Sequence, residues 1–488
     1  MRYYVHDIAP GRHALISETG RWCEVSSEEL ALFQTAFSTN PQKQKLGTTC
    51  ALWPPSLSAR LEKTGILVTA QNESAVVSDH RAKLGHLFFG VSLHIVNPTN
   101  RCNQACPYCY ANAVSEHAKN NDMDFDTAKQ VVDFIFQSPA PTLTIEFTGG
   151  EPLLNFEAVR TIVEEGNKRM QQKKKPVHWR LVSNLTKMDD DIARFLKQNN
   201  VHEICTSLDG PKPLHDSNRP LTGEKNGAYE KVTYWIDRLQ KTHGFNRPYL
   251  MPVITRETLS HDPAELVDEY LKWGMDDLTP TVIRPTGKAA PNWNRVGYPM
   301  DEYLAWWRKL VDICIDRTRS GSFIAEQYST LFYSKMQNVS TSSHTCFSKP
   351  CGAALMQASY KPDGSVYTCD EGKSFELFKL GSVRQSYKEI YASPTALNMI
   401  QDTSGLHWFC PECKWNPYCN ICTISTFAEQ GSIIPTLPLL SEHYLKLGQI
   451  EFTFNKQFSK DKEILDAWRT RKKPETTHAC VQRPGISG

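Results

Sequence analysis

Cys102-Asn103-Gln104-Ala105-Cys106-Pro107-Tyr108-Cys109 places three thiols in one short loop. The loop follows an apolar, strand-like run, Ser92 to Val96. Three thiolates at this spacing can hold three irons of a [4Fe–4S] cluster and leave the fourth iron open. A zinc ion is the rival occupant, but zinc normally takes four protein ligands and would have to recruit a distant one. Tyr108 offers an aromatic face to a flat ring.

Working outward, strands and helices alternate across residues 86–335. The strand-like runs are Ser92 to Val96, Leu143 to Phe147, His178 to Val182, Glu203 to Leu208, Leu250 to Ile254 and Thr279 to Ile283. Helical patterns separate them at Asp126 to Phe136, Phe156 to Met170, Asp190 to Lys197, Tyr229 to Leu239 and Pro263 to Trp273. This alternation predicts an α/β fold: parallel strands with crossover helices, closing part of a TIM-like (β/α)6 barrel. Functional residues then belong at the C-terminal strand ends.

Residues 1–85 read as a separate winged-helix-like unit. Two strands, Tyr3 to Ile8 and His13 to Ser17, flank the turn Pro10-Gly11, and a third runs from Trp22 to Val25. Ser26 and Glu29 form a capping box, and Leu30, Leu32, Phe33 and Phe37 give the next helix its apolar side. A second helix near Ser56 to Lys63 ends at Gly65, before a strand-like Ile66-Leu67-Val68. The polar stretch Gln71 to Lys83 reads as a linker.

The chain has 488 residues, 40% hydrophobic and 22% charged, a globular mix of several domains rather than a disordered chain. Lys+Arg number 55 against Asp+Glu 53, which gives no support for nucleic acid or a membrane surface as partner. The N-terminus has no apolar signal region, and the run Leu87 to Val96 is too short to span a bilayer. A cytoplasmic location follows, where the 15 cysteines stay reduced and their clusters mean metal or catalysis. Two further groups are Cys346, Cys351 and Cys369, then Cys410, Cys413, Cys419 and Cys422. Cys23, Cys50, Cys205, Cys314 and Cys480 stand alone and read as ordinary side chains.

The second strand ends in Thr148-Gly149-Gly150-Glu151-Pro152. Its glycines permit close backbone approach, and Glu151 is an acceptor for a ligand ammonium. Together with the three-cysteine loop, this motif resembles the radical S-adenosylmethionine (SAM) superfamily. The resemblance implies that Cys102, Cys106 and Cys109 ligate a [4Fe–4S] cluster whose open iron chelates S-adenosylmethionine. Reductive cleavage then gives a 5′-deoxyadenosyl radical that abstracts a substrate hydrogen. It further implies that Tyr108 contacts adenine and that Gly149, Gly150 and Glu151 hold the methionine amino group. Ser183, Asn184, Ser207, Asp209 and Arg219 complete the cofactor contacts.

The spacing Cys351-x12-Gly364-x4-Cys369, then Cys410-x2-Cys413-x5-Cys419-x2-Cys422, resembles the SPASM extension of peptide-modifying radical enzymes. That likeness implies one or two auxiliary [4Fe–4S] clusters over residues 340–455. Cys346, Cys351, Cys369 and Cys422 would bind one, and Cys410, Cys413 and Cys419 the other. The last gap is x2 where the commoner pattern has x3, and no cysteine follows promptly. The final ligand is therefore His443, the remote Cys480, or none. A zinc ribbon is the alternative for Cys410 to Cys422. Residues 456–488 read as a C-terminal tail.

Asp370 follows Cys369 directly, the place where sulfatase-maturing relatives carry an aspartate that accepts a substrate proton. Its alternative is a solvated or structural side chain. Glu371, Glu326 and Arg284 are weaker candidates for the cavity wall. The segments Ser92 to Ile95, Leu143 to Asn155, Ile204 to Pro211, Glu326-Gln327-Tyr328 and Ala428 to Ser432 carry the likeness further, and resemble the His-Xaa-Ser system radical maturases. That family implies a precursor peptide with a leader as substrate, bound by strand addition to the N-terminal unit. The expected reaction is hydrogen abstraction followed by a carbon–carbon or carbon–heteroatom crosslink, of the cyclophane type. A reductase or flavodoxin-type donor would supply electrons. The alternatives are oxidation of Cys or Ser to formylglycine and, without catalysis, a zinc-binding adaptor.

Overall fold

The computed structural model describes residues 3–38, 53–224, 227–338, 345–403, 409–435 and 441–472, so Cys50 and Cys480 lie outside the described residues. Strands β1 (Tyr3–Ala9), β2 (Arg12–Ser17) and β3 (Trp22–Ser26) form an antiparallel meander in that order. The capping box forms: the Ser26 N–H donates to Glu29 Oε2 at 3.0 Å, and the Glu29 N–H to Ser26 Oγ at 3.2 Å. It starts α1 (Ser27–Ser38), whose Leu30 and Phe33 are buried while Leu32 faces out; the Phe37 side chain lies outside the described residues. Helix α2 (Pro55–Thr64) ends at Gly65 in the left-handed region.

Two expectations fail in this unit. Ile66-Leu67-Val68 forms no strand, because the N–H groups of Ile66 and Leu67 both turn back to the Leu61 carbonyl. The polar stretch after Gln71 is not a linker but α3 (Glu73–Leu84). Asn72 organises its start, accepting from the Thr69 N–H at 2.7 Å and donating to the carbonyls of Glu62 and Leu67. An Arg21–Asp79 ion pair ties this solvated helix to the turn before β3.

Strands β4 (Leu93–Val96), β5 (Leu143–Phe147), β6 (Val177–Val182), β7 (Glu203–Thr206) and β8 (Tyr249–Leu250) are parallel neighbours in chain order. Their crossovers carry α4 (Phe125–Ile135), α5 (Phe156–Lys173), α6 (Asp190–Gln198), α7 (Lys212–Asn218) and α8 (Tyr229–Lys241). The expected strand Leu250 to Ile254 is split at Pro252, and the expected strand Thr279 to Ile283 keeps only Thr281–Val282, after Pro280, because proline cannot donate to a ladder. After Pro252, β9 (Val253–Ile254) leaves β7 and turns to a new partner. Beyond α9 (Pro263–Lys272) come β10 (Asp277–Leu278) and, after Pro280, β11 (Thr281–Val282). Strand β11 pairs with β9 in parallel. Helix α10 (Met300–Arg319) then leads to β12 (Ala325–Glu326), parallel to β10, and α11 (Gln327–Met336).

On the other side of β4 lies β13 (Gln357–Tyr360), in parallel register from Gln357–Leu93 to Tyr360–Val96. Antiparallel β14 (Ser365–Tyr367) and β15 (Lys379–Ser382) complete one eight-stranded sheet. The cysteine-rich C-terminal part thus shares a sheet with the first strand of the α/β unit. A buried 2.7 Å contact between His94 Nδ1 and the Tyr360 hydroxyl crosses that seam.

On β5, Leu143, Ile145 and Phe147 are fully buried, while Thr144 and Glu146 occupy the opposite face. One core runs from Val91 to Trp468. The expected tail contributes to it: after α12 (Thr423–Gln430) and α13 (Ser441–Lys456), α14 (Lys462–Thr470) buries Trp468, whose indole donates to Thr318 Oγ1. Strand β2 splits its faces by the two-residue period. Leu15 enters the N-terminal core, whereas Ala14 and Ile16 pack on Trp415, Tyr418 and Phe454.

Candidate active site and cysteine groups

The three-cysteine loop leaves the C-terminal end of β4 and is clamped by Arg101. Its guanidinium pairs with both Asp122 oxygens, at 2.8 and 2.7 Å, and donates to the carbonyls of Glu116 and Leu154. The Gln104 N–H and Asn184 Nδ2 lie 3.4 and 3.9 Å from Cys102 Sγ, and the buried Gln104 Nε2 has no protein partner. Burial pushes the Cys102 and Cys106 thiols up to about 12, so free thiolates are disfavoured and a bound cation must stabilise them. Three thiols with N–H groups directed at sulfur form a donor set that fits an iron–sulfur cluster. Among the described residues, no three His, Cys, Asp or Glu side chains converge at single-ion distance.

The motif after β5 is pressed against this loop. The N–H groups of Gly150 and Glu151 donate to the carbonyls of Thr99 and Arg101, at 3.0 and 2.7 Å. A Cβ on Gly150 would lie 2.1 Å from the Arg101 oxygen, and Gly149 has φ 125° with Thr99 O 2.6 Å from where its Cβ would be. Both glycines are thus required by close approach of two loops. Glu151 is fully buried and its carboxylate is largely spoken for: it accepts from the Leu153 N–H, the Ser183 hydroxyl and the Asn184 N–H at 2.8–3.0 Å. Burial pushes Glu151 up to about 7. It ties the ends of β5 and β6 together.

Asn184 also donates to Asn103 Oδ1 and accepts from Thr186, joining β6 to the cysteine loop. Ser207 is half-buried immediately past β7. Asp209 is buried and gathers three groups: the Tyr108 hydroxyl, the Val253 N–H and Arg219 Nε at 3.0 Å. Arg219 also lies over the Tyr108 ring, 5.4 Å from its centroid. The aromatic residue of the loop is therefore held by the two charged residues that follow β7.

Asp370 sits between the loop and the C-terminal cysteines. It accepts from the hydroxyl of Tyr110, one residue past Cys109, and pairs with the buried Lys373 ammonium, which also reaches Asn97 Oδ1 at 3.2 Å. Tyr110 and Lys373 escaped the sequence reading, although one adjoins Cys109 and the other lies a helical turn beyond Asp370. Arg284 pairs with Glu371 and, at 2.9 Å, with Glu442. Glu326 ends β12. It is fully buried and caps α11 by accepting the Tyr328 and Ser329 N–H groups.

The remaining cysteines form two assemblies. Burial, and then the neighbouring thiols Cys422, Cys351 and Cys346, push Cys369 upward, so these four feel one another. Cys410, Cys413 and Cys419 line a separate cavity with Lys349, Asn420 and His443. Burial lowers the Lys349 pKa while those three thiols oppose the shift. Cys314 is buried and Cys205 half-buried.

Residues 96–268 match the model of the Radical SAM superfamily. An uncharacterized protein of Methanocaldococcus jannaschii is 30% identical over 203 residues, covering 41% of this chain and 65% of that protein, so the chain spans less than two thirds of it. The cysteine-type anaerobic sulfatase-maturating enzyme of Clostridium novyi is 25% identical over 340 residues, 67% of this chain and 86% of that enzyme. Among solved structures, anSMEcpe with bound AdoMet has the same fold at TM-score 0.64 and 20% identity, covering 78% of this chain and 98% of that one. SuiB of Streptococcus suis, bound to its precursor peptide SuiA, aligns at TM-score 0.53 and 13% identity, covering 90% of this chain and 100% of that one. No helix among the described residues is long and apolar enough to cross a membrane. Residues 96–268 correspond to a radical SAM domain, the kind of domain that works with S-adenosylmethionine and a [4Fe–4S] cluster.

Proposed function

We propose that this enzyme modifies a ribosomally made precursor peptide, closing a cyclophane-type carbon–carbon or carbon–heteroatom crosslink. The observation that carries the reading is the position of Asp370: its carboxylate is held at once by Tyr110 of the radical loop and by Lys373 beside Cys369. Cys102, Cys106 and Cys109 would hold the radical cluster, with S-adenosylmethionine against Tyr108, Gly149, Gly150, Glu151, Ser183, Asn184, Ser207, Asp209 and Arg219. When bound, this pair supplies a 5′-deoxyadenosyl radical that removes one hydrogen atom from the peptide. Closing the bond removes one proton and one electron more. Asp370 accepts the proton, and Lys373 and Tyr110 orient its carboxylate. Cys346, Cys351, Cys369 and Cys422 would hold one auxiliary [4Fe–4S] cluster, and Cys410, Cys413 and Cys419 a second, as electron acceptors.

The same reading divides the chain into a winged-helix-like leader-binding unit (1–85), a partial barrel (86–335), a SPASM domain (340–455) and a C-terminal segment (456–488). The sheet order leaves β1 and β3 as edges to which an extended leader can add. The partners are that peptide and a reductase or flavodoxin-type donor in the cytoplasm, with no role for nucleic acid or membrane. Formylglycine formation is the second reading, favoured by the sulfatase-maturating relative. Against it, the share of the chain matched rises from 78% with anSMEcpe to 90% with peptide-bound SuiB. Anaerobic co-expression with the short peptide of a neighbouring reading frame should give a loss of two hydrogens per crosslink, resistant to hydrazide. Hydrazide labelling would transfer the assignment to formylglycine, and an unshifted mass would reject crosslinking. Asp370→Asn should abolish the crosslink while S-adenosylmethionine cleavage continues.

A further inference from the structure

The loop from Cys410 to Cys419 offers three thiols, one short of a complete ligand set for a cubane cluster. Cys422, next in the sequence, is not among the residues that line their cavity. Any fourth protein ligand from the described residues must therefore come from the other side chains around the cavity.

Those side chains narrow quickly. Lys349 spends its ammonium on the carbonyl and side chain of Asn416, which occupies the Asn416 oxygen as well. Asn420 donates to the Cys346 carbonyl at 2.6 Å and accepts from Lys446 at 3.4 Å. Thr403 hydrogen-bonds to the Met399 carbonyl at 3.0 Å, and Ile421 has no donor atom. Apart from the three thiols, the imidazole of His443 is the side chain lining this cavity whose chemistry suits iron, since amide, hydroxyl, ammonium and alkyl groups are poor ligands for it.

Its position is fixed from three sides. His443 lies in the first turn of α13 and is 5% exposed. Glu442 beside it binds Arg284 at 2.9 Å and Lys446 at 2.8 Å. Lys446, one turn on, donates to the Asn420 carbonyl at 3.1 Å, inside the stretch between Cys419 and Cys422. The Phe409 ring packs on the imidazole with centroids 5.4 Å apart. Helix α13 is thus pinned to the cysteine loop with His443 turned to the cavity.

We propose that His443 is the fourth iron ligand of the second auxiliary cluster, giving a Cys3His set; this rests on the reading that Cys410, Cys413 and Cys419 hold such a cluster. A neutral imidazole in place of a thiolate removes one negative charge from the ligand shell, and histidine ligation raises the potential of an iron–sulfur centre. The second cluster would then be the more oxidising of the two and the natural exit for electrons.

The test uses the full chain carrying Cys102→Ala, Cys106→Ala and Cys109→Ala, reconstituted anaerobically, so that only the auxiliary clusters remain. Iron should approach about eight per chain for two cubanes, and Cys410→Ser should lower it by about half. Pulsed EPR of the reduced protein should show a strongly coupled nitrogen that changes isotope with ¹⁵N-histidine labelling. His443→Cys should keep the iron, abolish that coupling and shift one of two reduction potentials downward; His443→Ala should abolish the coupling whether or not iron is retained. Full iron with no histidine coupling, or a coupling that survives His443→Cys, overturns the proposal and leaves the cluster standing. Iron for a single cluster that is indifferent to Cys410→Ser overturns the cluster itself.

Discussion

Replacing Gly150 by alanine tests the packing that joins the two cofactor loops. The new methyl carbon would sit 2.1 Å from the Arg101 carbonyl oxygen, 2.6 Å from its carbon and 2.8 Å from the Asn100 carbonyl carbon. All three are backbone atoms, so no side chain can swing away. The cysteine loop must retreat by about 0.9 Å before the nearest contact reaches 3.0 Å. That movement stretches the Glu151 N–H bond to Arg101 and the Gly150 N–H bond to Thr99, now 2.7 and 3.0 Å. Leaving two such groups poorly satisfied costs about 2–5 kcal/mol. Because Cys102 is the next residue after Arg101, the same shift displaces the first thiol. Gly150→Ala should therefore lower the melting temperature of the reconstituted enzyme, reduce iron bound by the Cys102 loop, and slow S-adenosylmethionine cleavage at least tenfold. Wild-type melting together with wild-type cleavage would refute the argument, because the contact is too short to leave both unchanged.

His94 should impose a pH dependence on stability. Burial lowers its pKa from 6.5 to about 3, so its stabilising contribution is complete above 6.5 and is lost as pH falls, at about 1.4 kcal/mol per unit. In urea unfolding at pH 7.5, 6.0 and 5.0, the gap between wild type and His94→Phe should narrow by that slope below 6.5; a constant gap would count against it. Arg284→Met leaves Glu371 and Glu442 facing each other without their shared cation, and should destabilise by about 3–5 kcal/mol in a calorimetric melt. Unchanged stability would show that the ion pairs contribute nothing. Phe454→Ala removes a fully buried ring that contacts His6, Trp22 and Trp415. A loss of about 3–5 kcal/mol at that seam should expose β1 to β3 to limited proteolysis while S-adenosylmethionine cleavage persists.

What was legible in the sequence was local. Leu143 to Phe147 alternates cleanly and forms a strand over that range, and the Ser26–Glu29 box opens a helix as its spacing requires. Expectations failed where a single residue overrode its surroundings. Pro252 divided one expected strand and Pro280 shortened another, and the Asn72 side chain set up a helix in a segment whose composition is that of a linker. The pairing of β13 with β4 had no local signal, since its register depends on residues more than 250 positions apart.

The site divides along the same line, and the division explains how it works. Cysteine spacing is a property of one loop, so the three cysteine groups were visible, whereas the partners that give the carboxylates their roles come from distant segments. Glu151 illustrates the consequence. As a sequence motif it offers a carboxylate to a ligand, but the fold brings Ser183 and Asn184 to it and makes it a brace between β5 and β6. Asp370 moves the other way: in sequence it was as easily a solvated residue, yet the fold places a buried ammonium and a tyrosine hydroxyl against it. Glu151 is held mainly by backbone N–H groups that fix two loops together, whereas Asp370 is held by two side chains, an ammonium and a phenol. If the glycine-motif acid braces and the acid beside Cys369 transfers the proton, as proposed, Glu151→Gln should lower the melting temperature while Asp370→Asn should lower turnover and leave melting nearly unchanged.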